Sequence, residues 1–213
     1  MHDTQQYPLG AFALPGRYTV KLTADRKSYT QPLVLKMDPR IKTSAADLQK
    51  QFEMEMGCVE GMNESYETLR QVQSMRAQLK DRIGVSKSLA AALISSIQAL
   101  DKQLGELEGA TQSSFFGVAP TGKAPENLST LNQHFGTLLS VADSADAAPT
   151  TQATAVYQEL EAALDGQLSR WKKLQQQGLP PLNAALKQSG LAEIDPKKLS
   201  GLQPEASGED NQP

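Results

Sequence analysis

The sequence holds one cysteine, Cys58, and two histidines, His2 and His134, among its 213 residues. A single thiol excludes an internal disulfide framework. Together with two distant histidines it is also too sparse for the usual zinc ligand sets. Aromatic residues make up 5% of the chain, with Trp171 the one tryptophan. That argues against a carbohydrate-stacking surface and leaves a core to be built from Leu, Ala, Met and Val. The formal net charge is −3 with both signs interspersed, so the field expected of a nucleic-acid or anionic-membrane binder is missing. No apolar run reaches the roughly 18 residues that would suggest a membrane span. The opening MHDTQQYPLG lacks the basic stretch and apolar segment of a secretory signal. The length suits one or two domains with a proper core.

What is present falls into two kinds. In PGRYTVKLTADRKSYTQPLVLKMDPR, Tyr18, Val20 and Leu22 alternate with Thr19, Lys21 and Thr23, the period of a half-buried strand. ADRK is the expected turn and Tyr29 to Lys36 the returning strand, with Pro32 marking an edge or bulge. A lone hairpin is marginal in water. It therefore either lies on helices or closes a larger sheet.

Everything after Thr43 reads as helix. Ser44 followed by Asp47 is a capping-box pattern. The series Leu48, Phe52, Met56, Val59, Met62, Tyr66, Leu69, Val72, Leu79 and Ile83 predicts one face of a long helix ending at Gly84. A second helix carries Leu89, Leu93, Ile97, Leu100, Leu104 and Leu107 and stops at Gly109. After the loop GATQSSFFGVAPTGKAP, a third carries Leu128, Leu131, Phe135, Leu138 and Ala142. A fourth carries Ala153, Tyr157, Leu160, Leu164, Leu168 and Trp171. Gly178-Leu179-Pro180-Pro181 is expected to break it before a short helix, Leu182 to Gln188. The expected class is mainly α: an antiparallel up-down four-helix bundle with a long first helix, preceded by an N-terminal β-hairpin. The boundaries are 1–43 for the hairpin, 44–199 for the bundle and 200–213 for a disordered polar tail. The overhanging first half of the long helix, Leu48 to Val59, needs a cover, for which the hairpin and the short last helix are candidates.

Candidate chemistry is thin. Glu53, Glu55, Glu60, Glu64 and Glu67 crowd the first helix, but neither histidine has a glutamate three positions before it, as a di-metal bundle site requires. A solvated acidic face explains them better. His134, beside Leu131 and Phe135, reads as a half-buried structural residue. Cys58 reads as a small buried hydrophobe with no cation nearby to favour the thiolate. Gly57 and Gly61 form a GxxxG that allows a close helix approach or a bend. Phe115-Phe116 reads as an anchor for the long loop, or less readily as an exposed patch. Gly122-Lys123 lacks the flanking residues of a phosphate loop. No catalytic, cofactor-binding or metal-binding residue emerges, and no cofactor is implied.

The hairpin and its junction with the helices carry a resemblance. LPGRYTVKLTADRKSYTQPLVLKMDPR is similar to the last two strands of the immunoglobulin-like module near the C-terminus of large bacterial BNR-repeat, sortilin-type β-propeller proteins, often labelled glycosyl hydrolases. TSAADLQKQF, NESYETLRQV, LLSVADSADAAPTTQA and LDGQLSRWKKL resemble the helical tail that follows in that family. The likeness covers roughly residues 11 to 195. It departs at Arg26, where the family favours glycine and the tight positive-φ turn comes into doubt, and at Gly57-Cys58. The resemblance implies a C-terminal fragment whose missing sheet strands, and any hydrolase activity, lie upstream, since no Asp-box is present. It implies an extracytoplasmic parent and a non-catalytic accessory role. The partners would be upstream propeller or immunoglobulin-like strands or another protein, with no nucleic acid and no membrane span. Two alternatives stand beside it: part of a sialidase-like glycoside hydrolase, or a stand-alone self-associating helical protein.

Overall fold

The computed structural model describes residues 10–85, 90–109 and 126–198. His2, Phe115-Phe116, Gly122-Lys123 and the tail from Ser200 lie outside them. Strands β1 (Gly16–Ala24) and β2 (Lys27–Leu35) precede helices α1 (Ala45–Val85), α2 (Ala91–Glu108), α3 (Leu128–Ala142), α4 (Thr151–Lys173) and α5 (Leu179–Gln188), with a π-helical turn at Leu174–Gly178. The described chain is thus mainly helical with an N-terminal antiparallel hairpin. No described helix is long and apolar enough to cross a membrane.

These elements form two compact units. Of the described residues, one comprises 10–60 and 135–159, the other 61–85, 90–109, 126–134 and 160–198. Helices α1, α3 and α4 contribute to both.

In the first unit, α1 opens as its capping pattern requires. The Asp47 amide donates to Ser44 Oγ at 3.1 Å, and the Ser44 hydroxyl donates to the Asp47 carboxylate at 2.8 Å. The start of α1 is covered by the turn after α3 and the start of α4, not by the hairpin. Gly57 faces Tyr157 so closely that a Cβ there would sit 2.1 Å from the phenol oxygen. At Gly57 this is the close approach, the first of the two roles expected of the glycine pair. Cys58 is fully buried.

The buried stripe of α1 differs from the apolar series in the sequence. Phe52, Met56, Val59, Met62 and Leu69 are only half-buried and Tyr66 is exposed. The buried positions are Gln51, Met54, Glu55, Cys58, Gly61, Ser65, Thr68, Val72, Ser74, Met75, Gln78 and Leu79. Polar side chains with backbone partners can be buried, and a hydrophobic-period search passes over them.

In the second unit, α2 buries Leu93, Ile97, Leu100, Leu104 and Leu107. It ends at Gly109, whose φ of +82° suits a residue without Cβ. Trp171 is buried on α4 along with Leu160 and Leu164. The expected break at Gly178 is instead a π-turn, with Lys173, Gly178 and Leu179 all helical in φ and ψ. Proline has no N–H and its ring crowds the carbonyl one turn back. The wider turn, in which the Leu179 amide bonds the Leu174 carbonyl, lets the chain pass Pro180 and Pro181 without leaving the helix. The segment beyond α5 is held by the side-chain amides of Asn183 and Gln78, the latter also donating to the Lys198 carbonyl at 3.3 Å. Asn183 donates to and accepts from Ile194 at 2.9 and 2.8 Å, and Gln78 does the same with Asp195 at 2.9 and 3.0 Å. Ile194 is thereby fixed in the core, 2% exposed.

Candidate functional site

The hairpin is the feature that departs most from ordinary packing. Its register is regular, from Gly16↔Leu35 through Val20↔Gln31 to Ala24↔Lys27. The two-residue turn has Asp25 at φ 49° and Arg26 at φ 63°, so it is the tight positive-φ type after all, without glycine. Aspartate tolerates that region; arginine there carries a strain that Gly would not. Apart from Gly16, every residue of both strands is exposed. Tyr18, Val20, Leu22, Tyr29, Leu33 and Leu35 share one face by register and alternation, with Gln31 the one polar side chain among them. Val20 is 52%, Tyr29 58% and Leu22 62% exposed. Scattered exposed apolar residues are unremarkable, but a contiguous apolar face is the usual mark of an interaction surface. Tyr18 is steadied by its hydroxyl, which donates to the Leu14 carbonyl at 2.5 Å.

A second feature, a polar network the sequence did not disclose, ties the chain ahead of the hairpin to α1. Gln51 Nε2 donates to the Ala142 and Ala145 carbonyls at 2.9 and 3.1 Å and to Glu55 Oε1 at 2.9 Å. Gln51 Oε1 accepts the Ala147 amide at 3.1 Å. Glu55 Oε2 accepts the Phe12 amide at 3.3 Å. Glu55 is 1% exposed, so the acidic-face reading fails for this residue. It holds for Glu53, Glu60, Glu64 and Glu67, which are exposed. Burial raises the Glu55 carboxyl above the ordinary carboxylate range. Its bonds from Gln51 and Phe12 oppose that rise, and the nearby Asp143 and Asp146 charges add to it. Asp143 is raised as well, by partial burial and then by Asp146.

No family model matches the chain, and no curated protein or solved structure is significantly similar to it.

The remaining candidates are structural. His134 is exposed, not half-buried; it lies on the outer side of α3 from Leu131 and Phe135. No group of three His, Cys, Asp or Glu side chains that could hold a metal ion occurs among the described residues. In the second unit Arg76 joins α1 to α2. Its Nε donates to Asp101 Oδ1 at 2.8 Å and its Nη1 to Glu108, which also accepts from Gln73 at 3.1 Å. The Asp101 bond, followed by that to Glu108, raises the Arg76 pKa further against a lowering by burial. This cation is committed to a buried-edge brace. An open apolar groove between α2 and α5 is lined by Ala99, Leu100, Pro181, Leu182 and Ala185. No charged side chain converges on it.

Proposed function

We propose that this chain is a non-catalytic accessory region that docks through its hairpin, and that it belongs to a larger exported β-propeller protein of the kind its sequence resembles. The observation that carries the docking reading is the exposed apolar face of Tyr18, Val20, Leu22, Tyr29 and Leu33. A two-stranded ribbon with that face uncovered is an incomplete sheet. The missing strands would come either from the immunoglobulin-like module of the resembled family or from a partner protein. In this reading the helices form the up-down four-helix bundle that carries the hairpin, and hydrolase chemistry resides in the parent's propeller. The parent works outside the cytoplasm.

The experiment for the parentage is the DNA ahead of the codon for Met1. An open reading frame that continues upstream into propeller repeats supports the proposal. In-frame stop codons immediately upstream in the native locus would overturn it, while leaving the docking reading to its own test.

A further inference from the structure

We propose that β1, and not β2, is the edge that takes a partner strand, and that the strand is an alternating acidic–apolar segment of a separate protein. This rests on the docking reading above but not on the propeller parentage.

The choice of edge follows from the register. In a hairpin closed by two residues, Ala24 and Lys27 form the first hydrogen-bonded pair, and bonded and non-bonded pairs alternate from there. Tyr18↔Leu33, Val20↔Gln31 and Leu22↔Tyr29 are then bonded inward. Arg17↔Val34, Thr19↔Pro32, Lys21↔Thr30 and Thr23↔Ser28 turn their backbone groups outward. The 3.1 Å contact between Thr23 Oγ1 and Ser28 Oγ fits the closer approach of a non-bonded pair. Pro32 falls on an outward position of β2, where its missing N–H interrupts the row of donors. That is a common way of blocking an edge. On β1 the outward residues Arg17, Thr19, Lys21 and Thr23 all keep their N–H groups. One edge has its row of donors broken by Pro32 and the other has it whole.

The partner's chemistry follows from the two faces. An added strand places alternate side chains beside Tyr18, Val20 and Leu22, which asks for apolar residues there. Its other side chains lie beside Arg17, Thr19, Lys21 and Thr23. Residues 15–42 carry seven Lys and Arg against two Asp and Glu, within a chain of net charge −3. Opposite charges across a strand pair are favourable and like charges repel, so the positions facing Arg17 and Lys21 call for Asp or Glu. A strand in trans is favoured by the path of this chain. The stretch where a tight turn back onto β1 would have to lie is already engaged, with Phe12 N–H on Glu55 and the Leu14 carbonyl on Tyr18.

The test uses the full chain and three synthetic seven-residue peptides: alternating Val-Glu, alternating Val-Lys, and the Val-Glu composition in block order. Binding is followed by fluorescence anisotropy at low and at physiological salt. The alternating Val-Glu peptide should bind at least tenfold tighter than either other peptide, and more weakly as salt rises. Thr19→Pro removes one outward donor without touching an inward bond. It should weaken binding at least tenfold, with Thr19→Val unchanged and circular dichroism confirming the fold. Arg17→Glu/Lys21→Glu should reverse the preference towards Val-Lys, and does not depend on tolerance of a proline. Equal binding by Thr19→Pro, or no preference between the charged peptides, overturns the proposal. So does self-association of the chain that Thr19→Pro abolishes, because the occupant would then be a second copy.

Discussion

Replacing Gln51 by leucine removes the polar clasp while keeping most of the side chain's buried volume. Gln51 is 7% exposed. Its amide serves the Ala142 and Ala145 carbonyls, the Ala147 N–H and the Glu55 carboxylate. A neutral hydrogen bond contributes about 1 kcal/mol net, and one to a charged group about 1.5–3 kcal/mol. The two Nε2 hydrogens are shared among three acceptors, so not all of these bonds count in full. The carbonyls of the turn can also recruit water, which lowers the loss further. A cost of about 3 kcal/mol follows. With a urea m-value of about 2 kcal/mol/M, the midpoint should fall by roughly 1.5 M. The site of the loss is equally specific: the Ala147 amide should exchange with solvent much faster in the variant, while amides of α2 keep their order of protection. A loss below about 1 kcal/mol, with the Ala147 amide unchanged, would refute the reasoning that this clasp fixes the turn to α1.

Two further predictions test the buried groups. Because burial raises the Glu55 carboxyl, the native state holds that proton more tightly than the unfolded chain. The stability this confers is fully present below the unfolded carboxylate value, about 4.3, and is lost as pH rises through the higher folded value. The stability of Glu55→Gln relative to the unsubstituted chain should therefore grow from pH 4 to pH 7; a difference that is flat or shrinks with pH, in paired denaturant titrations, would contradict the assignment. Trp171, 6% exposed, should emit as a buried indole, and Trp171→Ala should cost about 3–5 kcal/mol; emission typical of a water-exposed indole would remove the basis for that figure.

The hairpin, the capping box at Ser44, the stop at Gly109 and the apolar faces of α2, α3 and α4 were all readable in the sequence. Each is written in a local signal: a period of two, a cap, a residue without Cβ, or a period of three to four. The long helix was readable in extent but not in orientation. Its buried stripe includes Gln51, Glu55, Ser65, Thr68 and Gln78. For Gln51, Glu55 and Gln78 burial goes with a backbone partner many residues away, as Ala147 is for Gln51. The same reason hid Asn183, whose partner Ile194 lies beyond the end of α5. The π-turn was hidden differently, because prolines that end a helix in one setting are passed by a wider turn in another. The proposed docking edge was half-legible. Pro32 marked an edge in the sequence, but only the register places it on an outward position and leaves β1 as the open side.

The central claim is that the hairpin is an uncovered docking element and not part of this chain's own core. Amide hydrogen exchange on the isolated chain measures it directly. Amides of residues 17–36 should exchange much faster than those in the interiors of α1, α2 and α4, and the bound alternating Val-Glu peptide should slow Thr19 and Lys21 in particular. Hairpin amides as protected as the helix interiors in the isolated chain would contradict the claim.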